Sequence, residues 1–162
     1  MSINTGTFRV TAASGQDIGF YVEHDGTTEQ LTIGTGVTAL VPYSNIDYNY
    51  GGCWDASTER FTAPIDGIYQ FNVNCMMQSY AIAASDRFDS GLKINGSYIK
   101  YTLREFAAMT AFPSWAYSVM YPMTAGQYIE SYIVNQTTLT RYTYAGTGYT
   151  NFSGFLLQSG IW

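Results

Sequence analysis

Polar and apolar positions alternate with a period of two along most of the chain, and a period near 3.6 is almost absent. Trp115, Tyr117, Val119, Tyr121 and Met123 share one parity, with Ala116 and Ser118 on the other. Tyr69, Phe71, Val73 and Cys75 alternate in the same way with Gln70, Asn72 and Asn74. Each pattern predicts a strand with one buried face. Leu92-Lys93-Ile94, Asn95-Gly96 and Tyr98-Ile99-Lys100-Tyr101 predict a hairpin closed by a type I′ turn, because Asn-Gly supplies two positive-φ positions. Further strands are expected at Phe8–Thr11, Ile18–Glu23, Gln30–Ile33, Thr38–Val41, Arg60–Thr62, Gln127–Val134 and Phe152–Leu157, separated by Gly, Asp, Asn, Ser and Pro clusters. The one candidate for a helical turn is Leu103–Met109, limited by Pro113. Strands this many and this short predict an all-β sandwich or jelly roll.

The last strand departs from simple alternation. Phe152 and Leu156 point to one side, and Phe155 and Leu157 to the other. A sandwich strand needs one apolar face, so two imply a covered outer face, supplied either by another copy of the protein or by a loop of the same chain. These four residues are the candidate subunit contact.

Composition narrows the classes. The chain has 162 residues, one ordinary domain, with 15 Tyr, 17% aromatic residues and only 12% charged residues, about half the usual quarter. A surface built from Thr, Ser, Asn, Gly and Tyr buries readily against another subunit. The net charge of −5, with no Lys/Arg cluster, excludes capture of nucleic acid by its phosphates. No stretch nears ~18 apolar residues, so no membrane insertion is expected. The N-terminus has no signal-peptide pattern, which predicts synthesis in a cytoplasm. Cys53 and Cys75 are then expected as free, mostly buried thiols, although pairing stays open.

The segment from Tyr43 to Phe71 carries a family resemblance. Tyr43, Asn49, Trp54, Phe61, Gly67, Tyr69 and Phe71 follow the spacing aromatic, Asx, aromatic, Phe, Gly-x-Tyr-x-Phe. This resembles the signature of the complement-1q globular head, a branch of the tumour necrosis factor-like jelly rolls. Tyr43 stands where the family usually has Phe, and Val73 where it has an aromatic residue. The likeness continues through Leu92–Gly96, Met123–Ile129 and Phe152–Leu157, and covers the chain from about Ile18 onward. It implies a ten-stranded, two-sheet jelly roll forming a homotrimer, with the sheet that holds both termini around the three-fold axis. Residues 17–162 would form that domain. Gly67 is read as permitting a tight turn after Pro64, Tyr69 and Phe71 as core, and Trp54 as a plug at the sandwich end.

Members of this family in animals carry a collagen stalk, which needs Gly every third residue, and no such run occurs here. Residues 1–16 form instead a Thr/Gly/Ala/Ser-rich arm in which Ile3, Phe8 and Val10 are the apolar anchors. The arm reads as a docking element or as a segment packed on its own domain. A chain of this kind looks most like the trimeric knobs of bacteriophage virions. The expected function is a non-enzymatic virion structural protein that decorates or cements the capsid or heads a fibre, with capsid or tail proteins as partners. The alternative is a lectin-like or receptor-binding module holding a host-surface glycan through its loops. Its candidate residues are Arg141, Tyr142, Tyr144 and Tyr149, with the segment from Arg104-Glu105-Phe106 to Trp115 as a weaker candidate. An ordinary loop packing its rings on its own strands is the bland alternative.

Enzyme chemistry finds little support. The one histidine, His24 in Glu-His-Asp-Gly, reads as an exposed turn residue, with no Gly-x-Ser-x-Gly elbow or Cys/His pairing beside it. Asp86 and Asp89 flank Arg87, a weak arrangement for calcium. No phosphate loop is present, so no cofactor or metal is expected.

Overall fold

The computed structural model describes residues 17–24, 31–144 and 146–160. The expected arm, with Ile3, Phe8 and Val10, and the strand expected at Phe8–Thr11 lie outside the described residues. Fifteen strands follow in order: β1 (Gly19–Glu23), β2 (Thr32–Ile33), β3 (Thr38–Leu40), β4 (Asn45–Tyr50), β5 (Trp54–Asp55), β6 (Arg60–Thr62), β7 (Gly67–Met76) and β8 (Tyr80–Ile82), then β9 (Arg87–Ile94), β10 (Ser97–Glu105), β11 (Met109–Ala111), β12 (Ser114–Met123), β13 (Tyr128–Asn135), β14 (Arg141–Tyr142) and β15 (Asn151–Ser159).

They form a two-sheet jelly roll. One sheet has the order β12-β7-β15-β1-β4, and the other β10-β9-β13-β6-β5 with β3 also on β13. β3 pairs with Tyr132–Val134 and β6 with Tyr128–Ile129, end to end along one edge of β13. The eleven segments of the two sheets, five and six, therefore fill the ten strand positions expected. The ribbons β8/β11 and β2/β14 lie beyond them.

The alternating segments behave as their parity dictates. Tyr69, Phe71, Val73 and Cys75 pair with Tyr121, Val119, Tyr117 and Trp115 across β7 and β12, all facing inward. Between the sheets Phe20 stacks on Trp54 at 5.0 Å and on Phe61 at 5.2 Å, and meets Phe152 edge-on at 4.9 Å. Tyr43 contacts Trp54 and Phe152, and Phe71 contacts Phe61. Trp54 thus belongs to the aromatic centre. Gly154 explains how so many rings meet: it lies between Phe71 and Phe20 in register, and a Cβ there would come within 2.6–2.8 Å of both rings.

Asn49 earns its place by acting as a piece of backbone. Its Oδ1 accepts the Trp54 N–H at 3.0 Å and its Nδ2 donates to the Trp54 carbonyl at 2.9 Å, closing the turn through Gly51 and Gly52. The Asn95-Gly96 turn has the expected positive φ at both residues, 46° and 80°.

Several expectations need correction. Gly67 does not turn the chain through a left-handed conformation. A Cβ there would meet the Gln158 carbonyl and Leu156 at 2.5 Å, so Gly is required by the approach of β15 at its bulge. The helical turn at Leu103–Met109 is absent, because Leu103, Arg104 and Glu105 are paired with Asp89, Phe88 and Arg87 in the ladder of β9 and β10. Of Gln30–Ile33, only Thr32–Ile33 is described as strand. Phe152 and Leu156, offered as subunit contacts, are fully enclosed in the protein's own core. Phe155 and Leu157 remain on the outer side. Both cysteines are free and buried, and burial pushes their thiols up, to about 11 for Cys53 and about 12 for Cys75.

Candidate functional site

Two surfaces follow from this register. The first is the outer face of the five-stranded sheet with the sandwich edge beside it. Register aligns Met120, Gln70, Phe155, Gly19 and Tyr50 in one row, and Ser118, Asn72, Ser153, Tyr21 and Tyr48 in the next. Met120 is 67% exposed and Tyr50 56%, with Phe155 between them. Gln70 of the first row donates to Asn72 and Ser118 of the next, and Asn72 donates to Ser153, a ladder of neutral side chains. Strands β7, β12 and β15 carry no charged residue. At the open edge, Tyr117, Val119 and Tyr121 of β12 point into the sandwich yet are only partly covered, as is Ile99 of β10.

The second surface is the end of the sandwich away from Asp17 and Gly160. There the end of β7, the start of β12 and the expected ligand loop are sewn together by backbone bonds: Met77 N–H to the Pro113 carbonyl at 2.8 Å, Tyr144 N–H to the Met76 carbonyl at 2.7 Å, and Gln78 N–H to the Tyr142 carbonyl at 2.9 Å. Arg141 is not available to a ligand. Its guanidinium lies 3.7 Å from the Tyr80 ring centroid, 3.4 Å from the Asp86 carboxylate, and donates from Nε to Thr137 at 3.2 Å. These contacts need Tyr80 and Asp86, more than fifty residues away, and so no local pattern reveals them. Tyr142 and Tyr149 are exposed, while Tyr144 packs edge-on against Phe112 and Tyr149. Of the weaker candidate segment, Trp115 is buried on Phe88, and Phe106 packs edge-on against the same ring.

His24 is the clearest departure from expectation. It is buried, with Nε2 3.0 Å from the Thr143 hydroxyl, which also accepts the Leu31 N–H. A histidine and a hydroxyl at this distance have the spacing of a base and a nucleophile. Both are buried, however, and the pair ties β1 to the segment after β14. Glu23 accepts from the Tyr21 hydroxyl at 2.8 Å. Among the described residues no group of three or more His, Cys, Asp or Glu is placed to hold a metal ion. Among the described residues no helix is long and apolar enough to cross a membrane.

The strand order, with first and last strands adjacent and the aromatic series on β4 to β7, agrees with comparison to known families. A family model described as the C1q domain matches residues 20–157. The chain belongs to the C1q domain family. No curated protein sequence matches the chain. Among solved structures, the C1q-domain chain is similar to Eiger TNF from S. frugiperda, with a TM-score of 0.65 and 10% identity over 90% of this chain and 96% of that one. It is also similar to murine APRIL, with a TM-score of 0.64 and 10% identity over 88% and 99%. The globular domain of zebrafish complement 1qA gives 0.60 and 14% identity over 88% and 99%. At these identities the likeness carries the fold alone.

Proposed function

We propose that this C1q domain is a non-enzymatic structural knob that assembles as a homotrimer, the open edge of one copy resting on the outer face of the next copy's five-stranded sheet. The observation that carries it is the pairing of two incomplete surfaces on one molecule. Tyr117, Val119 and Tyr121 are aimed at the core but left half covered at an edge, and next to them strands β12, β7 and β15 present an outer face without charged side chains that bears Met120 and Phe155. Apolar groups of this size on a monomer mark a contact, and a contact between unlike patches of identical chains closes into a ring.

The knob is further proposed to belong to a bacteriophage virion, as a capsid decoration or cement or as the head of a fibre. The support is compositional: with 12% charged residues and a surface of Thr, Asn and Tyr, the domain suits lasting burial against neighbouring proteins. Residues 1–16 are the proposed docking arm. Light scattering on the purified full chain should give 54 kDa, three times 18.0 kDa, and mass spectrometry of purified particles should find the protein in fixed ratio to the capsid subunit. A monomeric mass overturns the trimer; absence from particles overturns the virion role. The lectin-like reading is favoured by one observation, the cluster of Phe112, Tyr144 and Tyr149 at the far end of the sandwich.

A further inference from the structure

We propose that Phe112, Tyr144 and Tyr149 form a binding site for an uncharged sugar ring. Tyr144 is the centre of the cluster, with Phe112 at 5.5 Å and 85° and Tyr149 at 5.0 Å and 83°, so two rings stand almost perpendicular to the third. Phe112 is 46% exposed and Tyr149 48%. Most of what exposed rings normally do is excluded by their fixation. Tyr144 is tied by its N–H to Met76 and by its carbonyl to the buried Thr150 hydroxyl at 3.4 Å. Phe112 leads directly into Pro113, whose carbonyl is bonded to Met77, and the Tyr149 N–H donates to Gly146 at 3.2 Å. The backbone that carries each ring is therefore fixed before any ligand arrives, and the rings pack on one another, which lowers the ordering cost of binding.

Gly146 sets their spacing. A Cβ at this position would stand 3.0 Å from the Tyr144 ring and 3.2 Å from the Tyr149 ring, tighter than side chains normally tolerate. The segments 109–113 and 142–150 contain no charged residue, and the nearby Arg141 and Asp86 are paired with each other. What is left is aromatic faces, with the exposed Thr110 and Thr147 in the same two segments. A hexose has the complementary chemistry, a face of C–H groups that packs on a ring and a rim of hydroxyls that exchange neutral hydrogen bonds. These two segments offer an acidic sugar no cation. A protein partner would need ~1,000 Å² or more, far beyond three rings.

The site lies within one protomer, so it does not rest on the trimer. The test is saturation-transfer NMR on the full chain with methyl glycosides of neutral hexoses and N-acetylhexosamines, and with N-acetylneuraminic acid as the acidic arm. The expected result is transfer to the C–H face of at least one neutral glycoside, with affinity about threefold to tenfold weaker in Phe112→Ala and Tyr149→Ala and nearly unchanged in Tyr149→Phe. Gly146→Ala crowds the rings without removing them and should weaken binding likewise, which keeps the test decisive if an alanine variant unfolds. Failure of every neutral glycoside, preference for the acidic sugar, or unchanged affinity in all three weakening variants overturns the proposal. A mass measurement on the same sample reports separately on the trimer.

Discussion

The outer faces of the two sheets differ in how they deal with polarity. On the six-stranded sheet, Arg60 bonds Glu130 at 2.9 Å and lies 4.0 Å from the Tyr128 ring centroid, Arg87 pairs with Asp89, Tyr101 donates to the same carboxylate, and Lys93 lies within 5 Å of the Tyr98 and Tyr132 rings. Those charges are paired within that face, which also exposes Tyr98, Tyr101 and Leu103. Strands β12, β7 and β15 of the five-stranded sheet have no charge to satisfy, only neutral amides and hydroxyls beside an apolar row. Such a face is incomplete alone. This difference between the two outer sides supports the proposed trimer, with the β12-β7-β15 face as the side that meets a copy.

The bluntest break removes what the two faces share. Phe71→Ala should cost about 3–5 kcal/mol in denaturant unfolding, because Phe71 touches Phe61, Tyr69 and Phe152 between the sheets. A finer break separates the faces. Asp89→Ala should cost about 1.5–3 kcal/mol through loss of the Arg87 and Tyr101 bonds, with the assembled mass unchanged. Arg60→Ala, whose partner Glu130 is nearly enclosed but which is itself partly exposed, should cost about 1 kcal/mol or less and also leave the mass unchanged.

Glu59 sharpens the comparison, since its carboxyl, beside the β5/β6 turn, has no cation. Burial pushes it up from the ordinary 4.5 to about 7; the Tyr43 N–H, which it accepts at 2.9 Å, opposes this, and the Asp55 charge adds to it. The folded state therefore holds a proton that the unfolded chain has released, so stability is greatest below the ordinary carboxylate range and falls as pH rises toward 7, then levels. Melting temperatures from pH 5 to 8 should show this slope, and Glu59→Gln, which keeps an acceptor for Tyr43, should flatten it.

Much of this was legible where a residue's role depends on strand parity. The inward series of β7 and β12 and the Asn95-Gly96 turn are local facts, and a period of two suffices to read them. Parity does not say which apolar face of β15 lies inside; Gly154 decides that, because Phe20 and Phe71 need its space. His24 was misread because Glu-His-Asp-Gly is polar locally, while its partner Thr143 lies 119 residues on. Arg141 failed as a ligand residue for the same reason. The short β8, β11 and β14 carry too few residues to show alternation, and Leu103–Glu105 takes its conformation from β9.

If the β12-β7-β15 face is buried in the proposed trimer, light scattering of Ser153→Lys beside the unaltered protein will show it. Ser153 lies mid-face, bonded to Asn72. The account predicts 54 kDa, three times 18.0 kDa, for the unaltered chain and a folded 18.0 kDa monomer for the variant, since a buried unpaired charge is not tolerated. A trimer of undiminished stability carrying lysine at that position, or a monomeric unaltered chain, would contradict it.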